Sequence, residues 1–553
     1  MYLYSYERLK EKANTKQGKE FLGSLRKIYE EDYENKPILA LPFSKFKLFH
    51  INGDRVLYQN EYFDRRKRLM LLQVLALADD KYLEPLEDVI SAICDEITWC
   101  IPAHCLDRET GNTYKYYEID LFASETAFYL AETDYIFKDK LCPEIRNRIK
   151  YSLKKKIVDV YENTIFGFDT MKNNWATVCS CGIGITYLYA FPERFNGIKD
   201  RIFSAMERYL VNALGGEGYC SEGFSYWVYG FGFLALFFDV YCQLTGDRPS
   251  ILDREEIKNT LEYGKNAILD GGIFLPIADG GSKGEHNESP VLYVINRLFN
   301  TNIVLNNGRE IEADTQVLGT RVLAGIDQKA LVEEEKLGCV YFKTNQVLVR
   351  KKGGYTLVAK GGNNAEMHNH NDIGAFAIIK NGKQYICDPG VGEYTNGYFN
   401  SPKVRYSKET FVCSAYAHSI PVIDGKTQVF GKEYEAKLVD RNDDFITFDL
   451  TNAYPDNKAD IKVTYKTLDN GVKAIYKISN ASSVTFRFVS FIEPKVDGNS
   501  VLLDEMAVTN SLGVTPTFER VDYSGFLKRP KTAYIIDYTV EGCDISAEFD
   551  FKF

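Results

Sequence analysis

The chain has 553 residues, 45% of them apolar and 26% charged, and a formal net charge of −10. That length exceeds what one hydrophobic core supports, so two domains, or a repeat assembly followed by a second domain, are expected. The acidic balance speaks against nucleic acid, whose phosphates need clustered Lys and Arg, but leaves room for an acidic sugar in a locally positive cleft.

The aromatic share is high, with 38 Tyr and 35 Phe. Rings with polar tips suit a long wet groove, and equally a Tyr-rich core. The 12 cysteines lack CxxC spacing, and many sit in apolar runs such as "TVCSCGIGI". They read as free buried thiols of a reducing compartment. The opening "MYLYSYERLKEKANTK" has no apolar signal core, and no stretch reads as a membrane span. A cytoplasmic protein without membrane attachment is expected, or a periplasmic or secreted one if a leader has been trimmed.

From about residue 5 to 325 the apolar spacing is helical. "RRKRLMLLQVLALADD", "LEPLEDVISAICDEITW", "LFASETAFYLAETDYIF" and "IKNTLEYGKNAIL" each show the i, i+3/i+4, i+7 stripe. Short polar or Gly-bearing connectors between them predict helical hairpins, arranged as an open solenoid or a closed (α/α) toroid. After "LAGIDQKALVEEEKLG" the pattern alternates. "GCVYFKTNQVLVRKKGGYTLVAKGG" predicts a turn at Lys351–Gly354, and "AFAIIKNGKQYICD" an Asn-Gly turn between two strands. Alternation through "DIKVTYKTLDNGVKAIYKIS", "SVTFRFVSFI" and "CDISAEFDFKF" predicts an antiparallel β-sandwich. The expected domains are therefore 1–330, helical, and 331–553, β.

Polar groups stand out in three helical stretches: "TWCIPAH", with Trp99 and His104; "KNNWATVCSCGIG", with Asn173 and Asn174; and "EGYCSEGFSYWVYGFGF", with Glu222, Tyr226 and Tyr229. Asn173 also fits a helix N-cap. Tyr226 and Tyr229, one turn apart, share a helix face, whether in a cleft or in the core. In the β domain, "MHNHNDIGAF" brings His368, His370 and Asp372 together. On a strand, His368 and His370 would point the same way, towards one polar site. Two such ligands, an aspartate after a strand and a later histidine make a plausible zinc set.

"NNW", "EGFSYWVYG", "HNHND", "DPG" and "AHSIPVIDG", in that order from about Trp99 to Gly425, resemble the heparinase II/III family of polysaccharide lyases. The resemblance implies an (α/α) toroid followed by an antiparallel β-sandwich, and β-elimination of a uronic-acid-containing polysaccharide in the cleft between them. It implies that Asn174 neutralises the uronate carboxylate, Tyr226 protonates the leaving oxygen and His368 assists proton abstraction. Tyr229 remains an alternative to Tyr226 within a few residues of alignment slack. It further implies a structural zinc held by His370, Asp388 and His418, with Asp372 orienting a histidine or capping. Trp99, His104, Asn173, Glu222, Tyr229 and Arg405 are expected along the sugar cleft, no organic cofactor is expected, and the partner is an acidic oligo- or polysaccharide.

These residue types suit the chemistry. A proton beside an ionised carboxylate is barely acidic, and each preorganised donor on that carboxylate is worth about 10²–10³ in rate. A phenol with its ordinary value near 10 is a ready acid at neutral pH, whereas a histidine can be the base without any shift. His368 as base and Tyr226 as acid is the preferred assignment, with one tyrosine doing both as the variant. The rivals are a glycoside hydrolase using Glu222 with Asp279, a non-catalytic glycan-binding protein, and metal-dependent hydrolysis at His370, Asp388 and His418.

Overall fold

The structure is a computed structural model that describes residues 2–105, 118–280, 289–303, 319–327, 338–456 and 458–553. Among these, every helix of eight residues or more ends by Phe299, and every strand begins at Gly338 or later. The expected domain boundary at 330/331 lies outside the described residues.

The helices form two rings. Lys16–Asp32, Leu83–Cys94, Pro143–Leu153 and Lys199–Asn212 bury one stripe each, for example Leu86, Val89, Ile90 and Ile93 in the second. Val56–Ala78, Leu121–Ile136, Asn174–Ala190 and Phe224–Thr245 are covered on nearly every side and form the inner ring. The stripe expected in Leu121–Ile136 is therefore absent, since even Ser124, Thr126 and Glu132 are enclosed. Phe224–Thr245 also corrects the expectation that no stretch is long and apolar enough to span a membrane. It passes that test, but its apolar surface is spent on neighbouring helices.

The ring closes. Gly319–Gly325 packs against Tyr6–Ala13 and Val56–Ala78, joining the end of the helical part to its beginning. Tyr4 donates to Asp239 Oδ2, which also accepts from Arg297 Nη2 at 2.7 Å. Arg321 pairs with Glu132 and lies 4.1 Å from the Tyr4 ring centre. Buried charges on inner helices are thus satisfied across the closure rather than left open.

All strand pairs are antiparallel. A five-stranded sheet runs Gly338–Phe342, Val347–Lys352, Tyr355–Lys360, Phe376–Lys380, Lys383–Ile386. Both predicted turns form as two-residue hairpins, with Lys352 opposite Tyr355 and Lys380 opposite Lys383. Gly353, Gly354, Asn381 and Gly382 take the positive φ that such turns require. An eight-stranded sheet extends from Lys495–Asp497 to Lys437–Arg441, and a four-stranded sheet is built on Pro530–Glu541 and Ser483–Ser490.

The five-stranded sheet is a shared layer. Val347, Val349, Val358, Ala377 and Ile379 belong to the helical core, while their neighbours Leu348, Leu357, Ala359, Phe376 and Ile378 belong to the sandwich core. Strand alternation alone assigns the two faces, and the toroid and sandwich are fused through an apolar seam. At its edge the Asn381–Gly382 turn touches Gly271, where a Cβ would lie 2.3 Å from Gly382 Cα.

Candidate active site

The tyrosine helix and an aspartate loop are locked together by two glycines. Gly223, the N-cap of Phe224–Thr245, has φ 102°, and a Cβ there would lie 2.2 Å from Gly280 Cα. The Ser225 N–H donates to the Gly280 carbonyl at 3.4 Å. Tyr226 and Asp279 are therefore fixed relative to each other by backbone contact. Gly223→Ala combines left-handed strain with a backbone clash, and such φ strain alone costs about 1–3 kcal/mol. We expect a lowered denaturant midpoint, with activity reduced even under conditions where the variant is fully folded; urea unfolding beside turnover checks both.

The second wall comes from the β domain. The sequence pattern predicted His368 and His370 on one face of a strand, but residues 365–375 form turns between Asn363–Asn364 and Phe376–Lys380. His368 has φ 55°, a left-handed conformation that breaks the alternation. The two imidazoles consequently reach Asp279 from different sides. His368 Nδ1 is 2.7 Å from Asp279 Oδ2, and His370 Nε2 is 3.1 Å from Oδ1. Tyr398 donates to Oδ1, and Arg405 Nη2 donates to Oδ2 at 3.0 Å.

Asp279 is fully enclosed, which by itself favours the neutral acid. The Arg405 guanidinium and the two histidine hydrogen bonds outweigh burial and hold its carboxyl well below the usual range. An ionised carboxylate only accepts, so His368 carries its proton on Nδ1 and presents the Nε2 lone pair. The half-buried His368 ring meets the Tyr226 ring at 4.4 Å between centres, across the domain boundary. Tyr226 Oη is 2.6 Å from Tyr394 Oη. Burial pushes the Tyr226 phenol well up, and the Asp279 charge adds to it, so it rests protonated.

A third group sits at the start of Asn174–Ala190. Asn173 caps this helix, accepting from the Trp175 N–H at 3.3 Å, as the capping alternative has it. Asn174 makes no side-chain hydrogen bond to a described residue. Trp175 meets the His104 ring at 4.8 Å, and His104 Nδ1 is 2.8 Å from the buried Asp120. No hydrogen bond joins Asn174 to Tyr226 or His368.

Four residues expected along the cleft are instead enclosed or committed to protein partners. Trp99 is 1% exposed, with its indole N–H bonded to the Ile93 carbonyl, because its apolar bulk is worth more in the helical core. Tyr229 donates to Glu125, whose carboxyl burial pushes up to about 8, so this phenol serves the ring interior. Glu222 is buried, and burial raises its carboxyl too. Arg405 is buried beneath His368, bonded to Asp279 and the Asn369 carbonyl.

Asp279, Tyr394 and Tyr398 were missed as a unit. "PIADGGS" and "NGYFN" carry no spacing signal, since these residues meet only through the domain interface. Asp372 is buried and accepts from Lys360 Nζ at 2.6 Å.

Behind this site, His370, Asp388 and His418 converge, with Asp372 within reach. His418 Nε2 donates to the Val412 carbonyl at 2.9 Å, which leaves its Nδ1 lone pair facing Asp388 Oδ2 at 3.4 Å. His370, whose Nε2 is turned to Asp279, places Nδ1 3.9 Å from Asp388 Oδ1. Neither Nδ1 has a hydrogen-bond partner. Burial lowers His418 to about 3 and raises Asp388 to about 6.

No family model and no curated protein sequence matches this chain. Solved structures do. A mutant of heparan sulfate lyase from Pedobacter heparinus aligns with a TM-score of 0.60 and 13% identity, over 90% of this chain and 77% of that one. A heparinase III structure aligns at 0.62 and 12% identity, over 98% and 91%. Chondroitin AC lyase from Streptomyces coelicolor A3, in complex with chondroitin sulphate, aligns at 0.54 and 9% identity, over 99% and 82%. At such identities the likeness is one of fold, and this chain has the toroid-plus-sandwich fold of those polysaccharide lyases.

Proposed function

We propose that this chain is a lyase that cleaves a uronic-acid-containing glycan by β-elimination between its two domains. The observation that carries the reading is the contact of Tyr226 with His368, an acid and a base from different domains, with the base oriented by Asp279. His368 Nε2 takes the proton at C5, beside the carboxylate. The C5–H pair becomes the C4–C5 double bond, and the C4–O bond breaks. The leaving oxygen takes the Tyr226 proton, and Tyr394, 2.6 Å away, stabilises the phenolate by donating to it. Asn174 supplies its uncommitted amide to the substrate carboxylate, and the exposed Phe399 ring, 6.1 Å from His368, offers a platform for a sugar face.

Hydrolysis fits less well, because it needs two opposed carboxyls open to the sugar. Glu222 is buried, and Asp279 is occupied by His368, His370, Tyr398 and Arg405. The test is ultraviolet absorbance of the new C=C bond across a series of acidic glycans. Reducing-end release without that absorbance favours hydrolysis instead.

The His370, Asp388 and His418 donors fit a zinc ion. Their two unpartnered Nδ1 atoms and a carboxylate, with Asp372 within reach, would supply nitrogen and oxygen donors of the kind zinc takes. Burial opposes a charged His370, but Cys413, Asp279 and Asp388 pull its value up, and a cation at Nδ1 meets that demand without a second proton. Bound, the ion would cross-link the sandwich loops, with no part in the elimination. His418→Ala is expected to abolish zinc retention and lower the thermal midpoint; metal analysis of purified wild type and variant, beside thermal unfolding, checks it.

A further inference from the structure

We propose, on the basis of that lyase reading, that Arg55 is a specificity residue whose guanidinium binds the carboxylate or sulfate of the sugar adjoining the bond that Tyr226 protonates. Arg55 immediately precedes Val56–Ala78 and is half-buried. It forms no ion pair and no side-chain hydrogen bond with a described residue. Three buried arginines behave differently: Arg66 holds Glu96, Arg321 holds Glu132 and Arg405 holds Asp279.

The ionisable groups facing Arg55 are Tyr226, Tyr394 and Asp120, and burial pulls its own value down. The two phenols are engaged with each other. Asp120 is already occupied by His104 and by the N–H groups of Ile101 and Ala123. A half-buried guanidinium therefore lies within electrostatic reach of the proposed acid, with no carboxylate paired to it among the described residues.

Its backbone is held from both domains. Gly53 abuts Asn396, where a Cβ would lie 3.0 Å from the Asn396 Cβ. Asp54 accepts from the Val56 and Leu57 N–H groups and lies 3.8 Å from Lys528 Nζ. A fixed planar fork of this kind recognises carboxylate or sulfate by paired hydrogen bonds, and a neutral sugar offers it nothing equivalent.

The test uses Tyr226→Phe, to prevent turnover, as the parent for calorimetric titration. The probes are an unsulfated uronate-bearing tetrasaccharide, its sulfated form and its carboxyl-reduced unsulfated form. Adding Arg55→Ala, with an unchanged thermal midpoint, is expected to weaken the acidic probes about 10–100-fold, the worth of a charged hydrogen bond, and to spare the neutral one. Arg55→Lys should recover part of the loss. Loss on both acidic probes assigns the carboxylate, and loss on the sulfated probe alone assigns sulfate. Equal weakening of all three probes, or of none, overturns the proposal. A parent that binds no probe overturns both readings, whereas wild type that binds but forms no unsaturated product overturns the lyase reading alone.

Discussion

Tyr226→Phe is expected to lower turnover by about 10²–10⁴, the usual worth of a positioned acid, with KM changed far less. The substitution removes one oxygen from a ring whose packing on His368 is retained, and the Tyr394 hydroxyl it was paired with is left to find water or substrate. Folding should be nearly unaffected, which separates this outcome from collapse of the site. Tyr229→Phe is the control. Its hydroxyl serves Glu125 in the ring interior, so it should cost about 1 kcal/mol of stability and little turnover. Steady-state kinetics on one acidic glycan with both variants decides the matter. Equal activity losses, or a loss confined to Tyr229→Phe, would place the acid elsewhere.

The outline of this fold was legible because its two halves follow different periods. The stripe in Leu83–Cys94 and the alternation in Asp460–Leu468 each report which face is covered. The Gly353–Gly354 and Asn381–Gly382 turns were legible because few residues accept their φ. What failed was any inference from one segment about residues supplied by another. Trp99 was expected along the sugar cleft beside the polar groups of "TWCIPAH", yet Ile93 and Lys156 enclose it in space. Arg405 was expected along the sugar cleft, and its partner turned out to be Asp279, from the helical domain. His368 and His370 were grouped by proximity in sequence, and a left-handed residue sends them to different tasks. Asp279 itself had no motif, because its importance is the sum of four donors from outside its own loop.

That convergence makes Asp279→Asn a severely damaging exchange despite its conservative shape. His368 Nδ1 and Arg405 Nη2 approach one oxygen, and His370 Nε2 and Tyr398 Oη the other. All four approach as donors, so an amide turned either way sets its NH₂ against two of them. Arg405, buried over the Tyr398 ring at 4.2 Å, loses its only carboxylate among the described residues, and breaking a buried pair this way costs about 3–5 kcal/mol. His368 loses the acceptor that keeps its proton on Nδ1, so Nε2 no longer offers a lone pair to C5; the equivalent exchange in a Ser-His-Asp triad costs about 10⁴ in turnover. Because the native Asp279 carboxyl is depressed, its contribution to stability is complete above the unfolded value near pH 4 and is lost as pH falls through the lower folded value. Urea unfolding of both proteins should therefore show the full gap at pH 7 and a narrowing gap below about pH 4. An Asp279→Asn enzyme with wild-type turnover would mean that the base is not held by this carboxylate, and the pairing of His368 with Tyr226 would lose its chemical meaning.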